Sequence, residues 1–304
     1  METYAREFGL FIDGLRIDRQ VSREDLCDGI MSLSQYKRYL RGDTSIPNSK
    51  LVQIADRLKF SISEIHMMYQ AKQDVQFTKI SELFKLMRSH KPQEAFNKAV
   101  KMKDEVILSE SNQLFFDFCF VYIQHNLKMA SDINALDLYS NMINYPDCVN
   151  NESFNFVEIN ILLQIVTISA RMDIFEPADI MYKILTSKTF NIGFAKDTSF
   201  VPATYSTLAQ TLGEQRKFDQ AIDVTRLGIQ FCIKHNTTIA LALLFLLNSF
   251  AHHDLGNIDE AHESGKKAMM QVYIENKPDK FESYKNWLES KLEIGIDELM
   301  KFDK

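Results

Sequence analysis

His253-Asp254-Leu255-Gly256-Asn257-Ile258-Asp259-Glu260-Ala261 carries, in order, a helix end, a glycine turn, an acidic first turn and a small residue. A glycine after a periodic apolar run is a stop signal, and Asp259 and Glu260 suit the positive end of a new helix. The stretch predicts two helices joined by a short turn. Ala261 stands where the second helix must cross the first closely, which calls for a small side chain. The same place recurs upstream. Ala95 follows His90-Lys91-Pro92-Gln93-Glu94, Ala178 follows Phe175-Glu176-Pro177, Ala221 follows Phe218-Asp219-Gln220, and Ala135 is the loosest copy. The separations are 40, 43, 43 and 40 residues, a period that belongs to helical repeat arrays.

Composition agrees with long helices and short connections. Gly 10 and Pro 6 are few for 304 residues, about 5% where average usage gives roughly 12%. The chain is 45% hydrophobic and 25% charged, enough apolar surface for a core and an ordinary charge load. An all-α fold is expected. The longest unbroken apolar run, Ile239 to Leu247, is nine residues, short of the roughly 18 that a membrane span needs. The start, Met1-Glu2-Thr3-Tyr4-Ala5-Arg6-Glu7, lacks a basic stretch followed by an apolar one. A cytoplasmic location without a membrane partner is expected. Cys27, Cys119, Cys148 and Cys232 are far apart, with no C-x-x-C pair, and read as buried reduced thiols.

Working back to the N-terminus, the period changes and the helices shorten. Phe8, Phe11, Ile12 and Leu15 repeat at helical spacing and predict a first helix ending near Arg19. Ser22, with Glu24 and Asp25 in the first turn, starts a short second helix ending near Gly29. Ser32 starts a third and stands three residues before Gln35, the spacing of a reciprocal capping box. That helix runs to Arg41 and stops at Gly42. Pro47 and Asn48 lead into a fourth with Leu51, Ile54, Ala55 and Leu58 on one face, and Ser61 caps a fifth.

Two short helices around a tight turn, the second polar and basic outward, form the arrangement that places a helix in the major groove of DNA. Residues 1–70 hold 10 basic and 10 acidic side chains, so the region is no polycation. Between 33 and 59, however, Lys37, Arg38, Arg41, Lys50, Arg57 and Lys59 face only Asp43 and Asp56. That local excess predicts a phosphate-facing patch. Tyr36 and Tyr39 read as core.

The spacing resembles the lambda-repressor-like, XRE-type helix-turn-helix family. The likeness rests on Leu15-Arg16, Arg19, Ser22 to Leu26, the turn Ile30-Met31-Ser32, and Arg41-Gly42 with Pro47 beyond. It departs at Ile30, where the family usually has Gly, and at Leu40, where it usually has Glu and so loses one intradomain pairing. The resemblance implies that Ser34, Gln35 and Arg38 face base edges, with Arg38 suited to a bidentate contact to guanine. It implies that Ser22, Arg23, Lys37 and Arg41 hold phosphates, with Ser32 at the helix start completing the DNA-binding set.

Leu255 to Ala261 likewise resembles the tetratricopeptide (TPR) signature. The period exceeds the roughly 34 residues of that repeat, which predicts helices longer by about a turn. Phe281 to Phe302, with the single tryptophan Trp287, reads as a terminal cap. In stacked hairpins the first helix of each pair lines the inner surface. Offsets from the five alanines select Asp117 and Gln124, then Asn160, Gln164, Thr167 and Arg171, then Ser206, Thr207 and Gln210. Amides offer donor and acceptor together, which suits an extended peptide backbone. Arg171 suits a carboxylate, and Leu243, Leu246 and Phe250 form an apolar end.

Together these features resemble the RNPP family of Gram-positive quorum-sensing regulators. The resemblance implies an XRE-type domain over 1–70, then a right-handed superhelix of TPR-like hairpins over 71–304, about five hairpins plus a capping helix. It implies a homodimer on paired double-stranded DNA half-sites, and a short signalling peptide on the concave repeat surface, with Asn160 the best single match. The repeat region carries 25 basic and 31 acidic residues, the wrong sign for DNA. Two other readings share these features: a TPR-like scaffold for a partner protein, and a dimeric DNA-binding regulator with no peptide ligand. No enzyme is expected, since no P-loop, G-x-S-x-G, H-E-x-x-H or glycine-rich nucleotide turn occurs. No cofactor or metal is expected either, and the adjacent His252 and His253 point to different sides of a helix.

Overall fold

The computed structural model describes residues 2–89, 91–103, 105, 107–151, 153–187, 191–192 and 200–301. They form two compact units, Met1–Ser131 and Asp132–Lys304. His90 and Phe302, which flank the first marker alanine and end the expected cap, lie outside the described residues.

The first unit opens with α1 (Glu2–Asp18), α2 (Arg23–Cys27), α3 (Leu33–Arg41) and α4 (Asn48–Arg57). It continues through α5 (Ile62–Arg88), α6 (Pro92–Met102) and α7 (Glu110–Asn126). The starts are set locally, by side-chain caps. Ser22 accepts from Asp25 N at 2.9 Å, Ser32 from Gln35 N at 3.1 Å, and Ser61 shares a full capping box with Glu64. The reciprocal box expected at Ser32 is only half made, because the Gln35 amide turns to the Tyr39 hydroxyl at 2.9 Å. Gly42 ends α3 at φ 81°, a left-handed backbone that glycine adopts without a steric penalty.

Phe8, Phe11, Ile12, Leu15, Leu26, Tyr36, Tyr39, Leu51, Ile54 and Leu58 close one core together with Ile65 and Tyr69 from the start of α5. The helix does not stop there. It runs on for 27 residues and buries Ile80, Leu83 and Met87 further along. The helix thus runs across the expected 70/71 boundary, and the compact units divide at 131/132. The physical reason is that 62–88 contains neither glycine nor proline once Ser61 has started it.

The second unit comprises α8 (Asp132–Ile143), a 3-10 turn (Asp147–Asn150), β1 (Ser153–Phe154), α9 (Phe156–Arg171) and α10 (Glu176–Thr186). It goes on with β2 (Asn191–Ile192), α11 (Phe200–Glu214), α12 (Phe218–Lys234), α13 (Leu241–Asp254), α14 (Ile258–Ile274), α15 (Pro278–Leu292) and α16 (Ile296–Leu299). All five marker alanines, Ala95, Ala135, Ala178, Ala221 and Ala261, are buried in the first turn or just past it of α6, α8, α10, α12 and α14. Helix α9 pairs with α10, α11 with α12, and α13 with α14. Two glycines serve the same close approach deeper in the helices. A Cβ on Gly228 would lie 2.9 Å from the Tyr205 Cβ, and one on Gly265 would lie 3.0 Å from a Leu288 methyl.

The extra length per repeat is divided unevenly. Helices α12 and α14 have 17 residues each, as the long period predicts. Helices α8 and α10 have 12 and 11, so there the excess goes into the connections, where β1 and β2 pair in parallel, Ser153 with Asn191. At the end, Tyr284, Leu288, Leu292 and Leu299 pack onto Ala268, Met269 and Val272 and close the array as the expected cap.

Candidate functional site

Helix α3 has two faces. Tyr36 and Tyr39 are each 1% exposed and anchor it in the core, while Ser34, Lys37, Arg38 and Arg41 point to solvent. Spacings of three and four put these four on one outward strip. Arg41 pairs with Asp43 at 2.7 Å on the surface. Ser22 and Ser32 are exposed but cap α2 and α3. Gln35 is half-buried against Tyr39, and Arg23 pairs with Asp13 at 2.8 Å. Of the eight residues predicted for DNA, four thus form the open strip and four are engaged within the head.

The local positive excess is only partly outward. Lys50 donates to the Ile30 carbonyl at 2.6 Å, and Arg57 donates to the Asp25 and Asp28 carbonyls. These two cations fasten the end of α2 and the turn after it to α4, complementing the carbonyl end of α2. Gly9 also escaped the sequence reading. A Cβ there would sit 2.6 Å from the Tyr39 carbonyl oxygen, so α1 and α3 touch backbone to side-chain position at that point. Asp13, 6% exposed, collects Arg16, Arg23 and Tyr36 and is held at about 2, below the ordinary carboxylate value. Burial opposes ionisation there, and the hydrogen bonds from Arg23, Arg16 and Tyr36 outweigh it. With Leu40 where the resembled family has glutamate, Asp13 is the carboxylate on which the inner arginines of the head converge.

In the first unit, Asp117 and Gln124 lie half-buried on α7. Asp117 accepts from Gln113 at 2.9 Å, and burial raises its carboxyl above the ordinary range. In the second unit the inward polar residues mostly bond their own helix. Asn160, 8% exposed, donates to the Phe156 carbonyl at 2.8 Å, Thr167 to Leu163 and Ser206 to Ala203. Gln164 is half-buried, while Arg171 is exposed and forks onto Asp132 at 2.9 and 3.3 Å.

A pocket of about 410 Å³ opens among α11, α12, α13 and α15. Its walls include Leu243, Leu246, Phe250 and Trp287, with Gln210 and Lys291 among the polar groups. Gln210 donates to Glu214 at 3.0 Å, and Lys291 pairs with Asp254 at 2.5 Å. The size falls in the range of ligand sites, and an apolar floor with few polar groups is their usual make-up. Of the predicted set the pocket gathers Gln210 and Phe250; Asn160, Gln164, Thr167, Arg171 and Ser206 lie outside its lining. Trp287 and Lys291 come from the cap, which the sequence reading treated as closure alone.

No described helix is long and apolar enough to cross a membrane. No family model matches the chain, and no curated protein matches it in sequence. Solved structures do match in fold. Bacillus thuringiensis PlcR in its apo form superposes with a TM-score of 0.63 at 14% identity, covering 83% of this chain and 92% of that one. PlcR in complex with the peptide PapR7 and DNA gives 0.55 at 16% identity, covering 93% and 99%. ComR from S. thermophilus in complex with DNA and its signalling peptide ComS also gives 0.55 at 16%, covering 93% and 99%. The chain therefore has the all-α fold of PlcR and ComR, the fold that its resemblance to the RNPP family implies.

Proposed function

We propose that this chain is a DNA-binding transcription regulator of the RNPP type that acts as a homodimer and senses a short peptide. The observation that carries the reading is the strip Ser34, Lys37, Arg38 and Arg41, exposed on a helix whose other face is locked into a core by Tyr36 and Tyr39. Such a helix is held rigidly enough for its outward side chains to read base edges. The strip is small and the 1–70 head is electrically balanced, so one copy binds weakly. Two copies on two half-sites roughly add their energies, which favours the dimer. We assign 1–70 to DNA and 71–304 to dimerisation and peptide sensing, and a cytoplasmic location follows from that reading.

Arg38→Ala is expected to cost about 1 to 3 kcal/mol at the preferred sequence and to relax discrimination at one base pair. Anisotropy titrations against preferred and random duplexes check this. Equal binding of variant and wild type to both duplexes removes Arg38 as a reader, and a wild type without salt-sensitive preference supports the scaffold reading instead.

For the peptide, the pocket walled by Leu243, Leu246, Phe250 and Trp287 supplies a place for a bulky apolar side chain. PlcR and ComR, which share the fold, were solved with a peptide and DNA together. Trp287 is the only tryptophan and is 51% exposed, so filling the pocket should shift its emission. Phe250→Ala is expected to weaken a hydrophobic heptapeptide at least tenfold while leaving its emission in the free protein near the wild-type wavelength. Unaltered Trp287 emission with a peptide that binds by calorimetry would place the ligand elsewhere.

A further inference from the structure

One carboxylate joins three helices of the head, α1, α2 and α3. Asp13 lies on α1; its Oδ1 accepts from Arg16 Nε at 2.6 Å and from the Tyr36 hydroxyl at 2.9 Å. Its Oδ2 accepts from Arg23 Nη2 at 2.8 Å. Arg23 is the first residue of α2, and Tyr36 is the fully buried anchor of α3. Arg16 in turn donates to the Val21 carbonyl at 2.6 Å, which holds the connection ahead of α2. A buried ion with this many donors costs much to disturb, since removing one partner leaves others uncompensated.

The two arginines differ in what they can still do. Arg16 has a side chain 12% exposed and is an interior strut. Arg23 is 42% exposed and stands next to Ser22, and both are among the four residues that the resemblance to the XRE-type family assigns to phosphate. Its guanidinium therefore faces two acceptors that exclude each other in part: the Asp13 carboxylate inside and a DNA phosphate outside. Phosphate contacts raise affinity for every sequence alike, whereas the setting of α3 decides which bases are read.

We infer that Asp13 is a specificity-determining positioning residue: it restrains Arg23 from phosphate and, through Tyr36, fixes the setting of α3. General affinity is thereby lowered and sequence preference raised. This rests on the DNA reading above and goes beyond it, because Asp13 itself touches no DNA. Freed of Asp13, Arg23 gains a full phosphate contact and α3 loses one of its tethers.

The test uses the full chain, a preferred duplex selected from a random library, and a random duplex, titrated across a salt series. Asp13→Asn keeps the size and removes the charge. It is expected to tighten random-duplex binding about threefold and to lower the preferred-to-random ratio at least tenfold. Its log–log salt slope should steepen by about 0.9, the value for one added phosphate. Tyr36→Phe should lower the ratio and leave the slope unchanged. A merely structural role would weaken both duplexes in proportion at constant slope, and that result overturns the inference. So does a variant indistinguishable from wild type in ratio and slope. If Asp13→Asn does not fold, Arg23→Gln decides: an unchanged slope supports the restraint, and a slope shallower by about 0.9, which would mean that Arg23 already holds a phosphate in the wild type, refutes it. A wild type that binds neither duplex overturns the DNA reading itself, and with it any role for Asp13 in that reading.

Discussion

Gly9→Ala is expected to destabilise the head by about 2 kcal/mol and to abolish preferred-site binding at temperatures where wild type binds fully. The new methyl would lie 2.6 Å from the Tyr39 carbonyl oxygen and 3.0 Å from its carbon, both backbone atoms that no rotamer change can move. Overpacking of this kind costs about 1 to 3 kcal/mol or more. Alanine in a helix interior returns up to about 1 kcal/mol of propensity, so the clash wins. The helix that must yield is α3, which carries the outward strip proposed to read the bases. Thermal melts followed by circular dichroism, paired with anisotropy titrations, check both halves. A Gly9→Ala protein as stable as wild type would mean that α1 and α3 lie further apart than described. Gly14→Ala is the control, because a Cβ there meets nothing within 4 Å and propensity alone acts.

Asn248→Ala should be the most damaging single truncation of a polar side chain in the second unit, at about 3 kcal/mol. Asn248 donates to the Thr225 hydroxyl at 2.8 Å and accepts from the Ser264 hydroxyl at 2.7 Å, so one amide ties α13 to both α12 and α14. Beside it, Ser249 donates to the Ala261 carbonyl at 2.7 Å. Two buried hydrogen bonds at about 1 to 1.5 kcal/mol each, plus the void left by the amide, make up the figure. Thr225→Val removes one hydroxyl, keeps the shape and should cost about half as much. Urea unfolding with hydrogen exchange at α12 to α14 amides gives the measurement. Equal midpoints for Asn248→Ala and wild type would show that the amide contributes nothing net.

Much of the helix map was legible because its signals are local. Ser22, Ser32, Ser61 and Gly42 act within three or four residues of themselves, and each ends or starts a helix where its type predicts. The five alanines were legible for another reason: a close crossing repeated at a fixed period leaves a periodic trace. Long-range bonds leave none. Beyond its own-helix neighbour Arg16, Asp13 meets partners 10 and 23 residues away on α2 and α3, and no spacing in the sequence announces that. Gln35 was assigned to Ser32 by spacing, yet Tyr39 one turn on competed for its amide and won. The inward residues of the repeats were chosen by offset alone. That finds the face but not its chemistry, since Asn160, Thr167 and Ser206 satisfy themselves on their own helices. Trp287 entered the pocket from a segment read only as closure.

The unbroken α5 leaves no natural splice point between the part that would meet an operator and the part behind it. Any chimaera that swaps this head onto other hairpins must be joined inside a continuous rod, and each residue gained or lost at the junction rotates the downstream half of that rod by about 100°. Exchange of heads between such chains is therefore limited to cuts that preserve helical phase. A modular appearance at the level of domains conceals a mechanical gear at the seam.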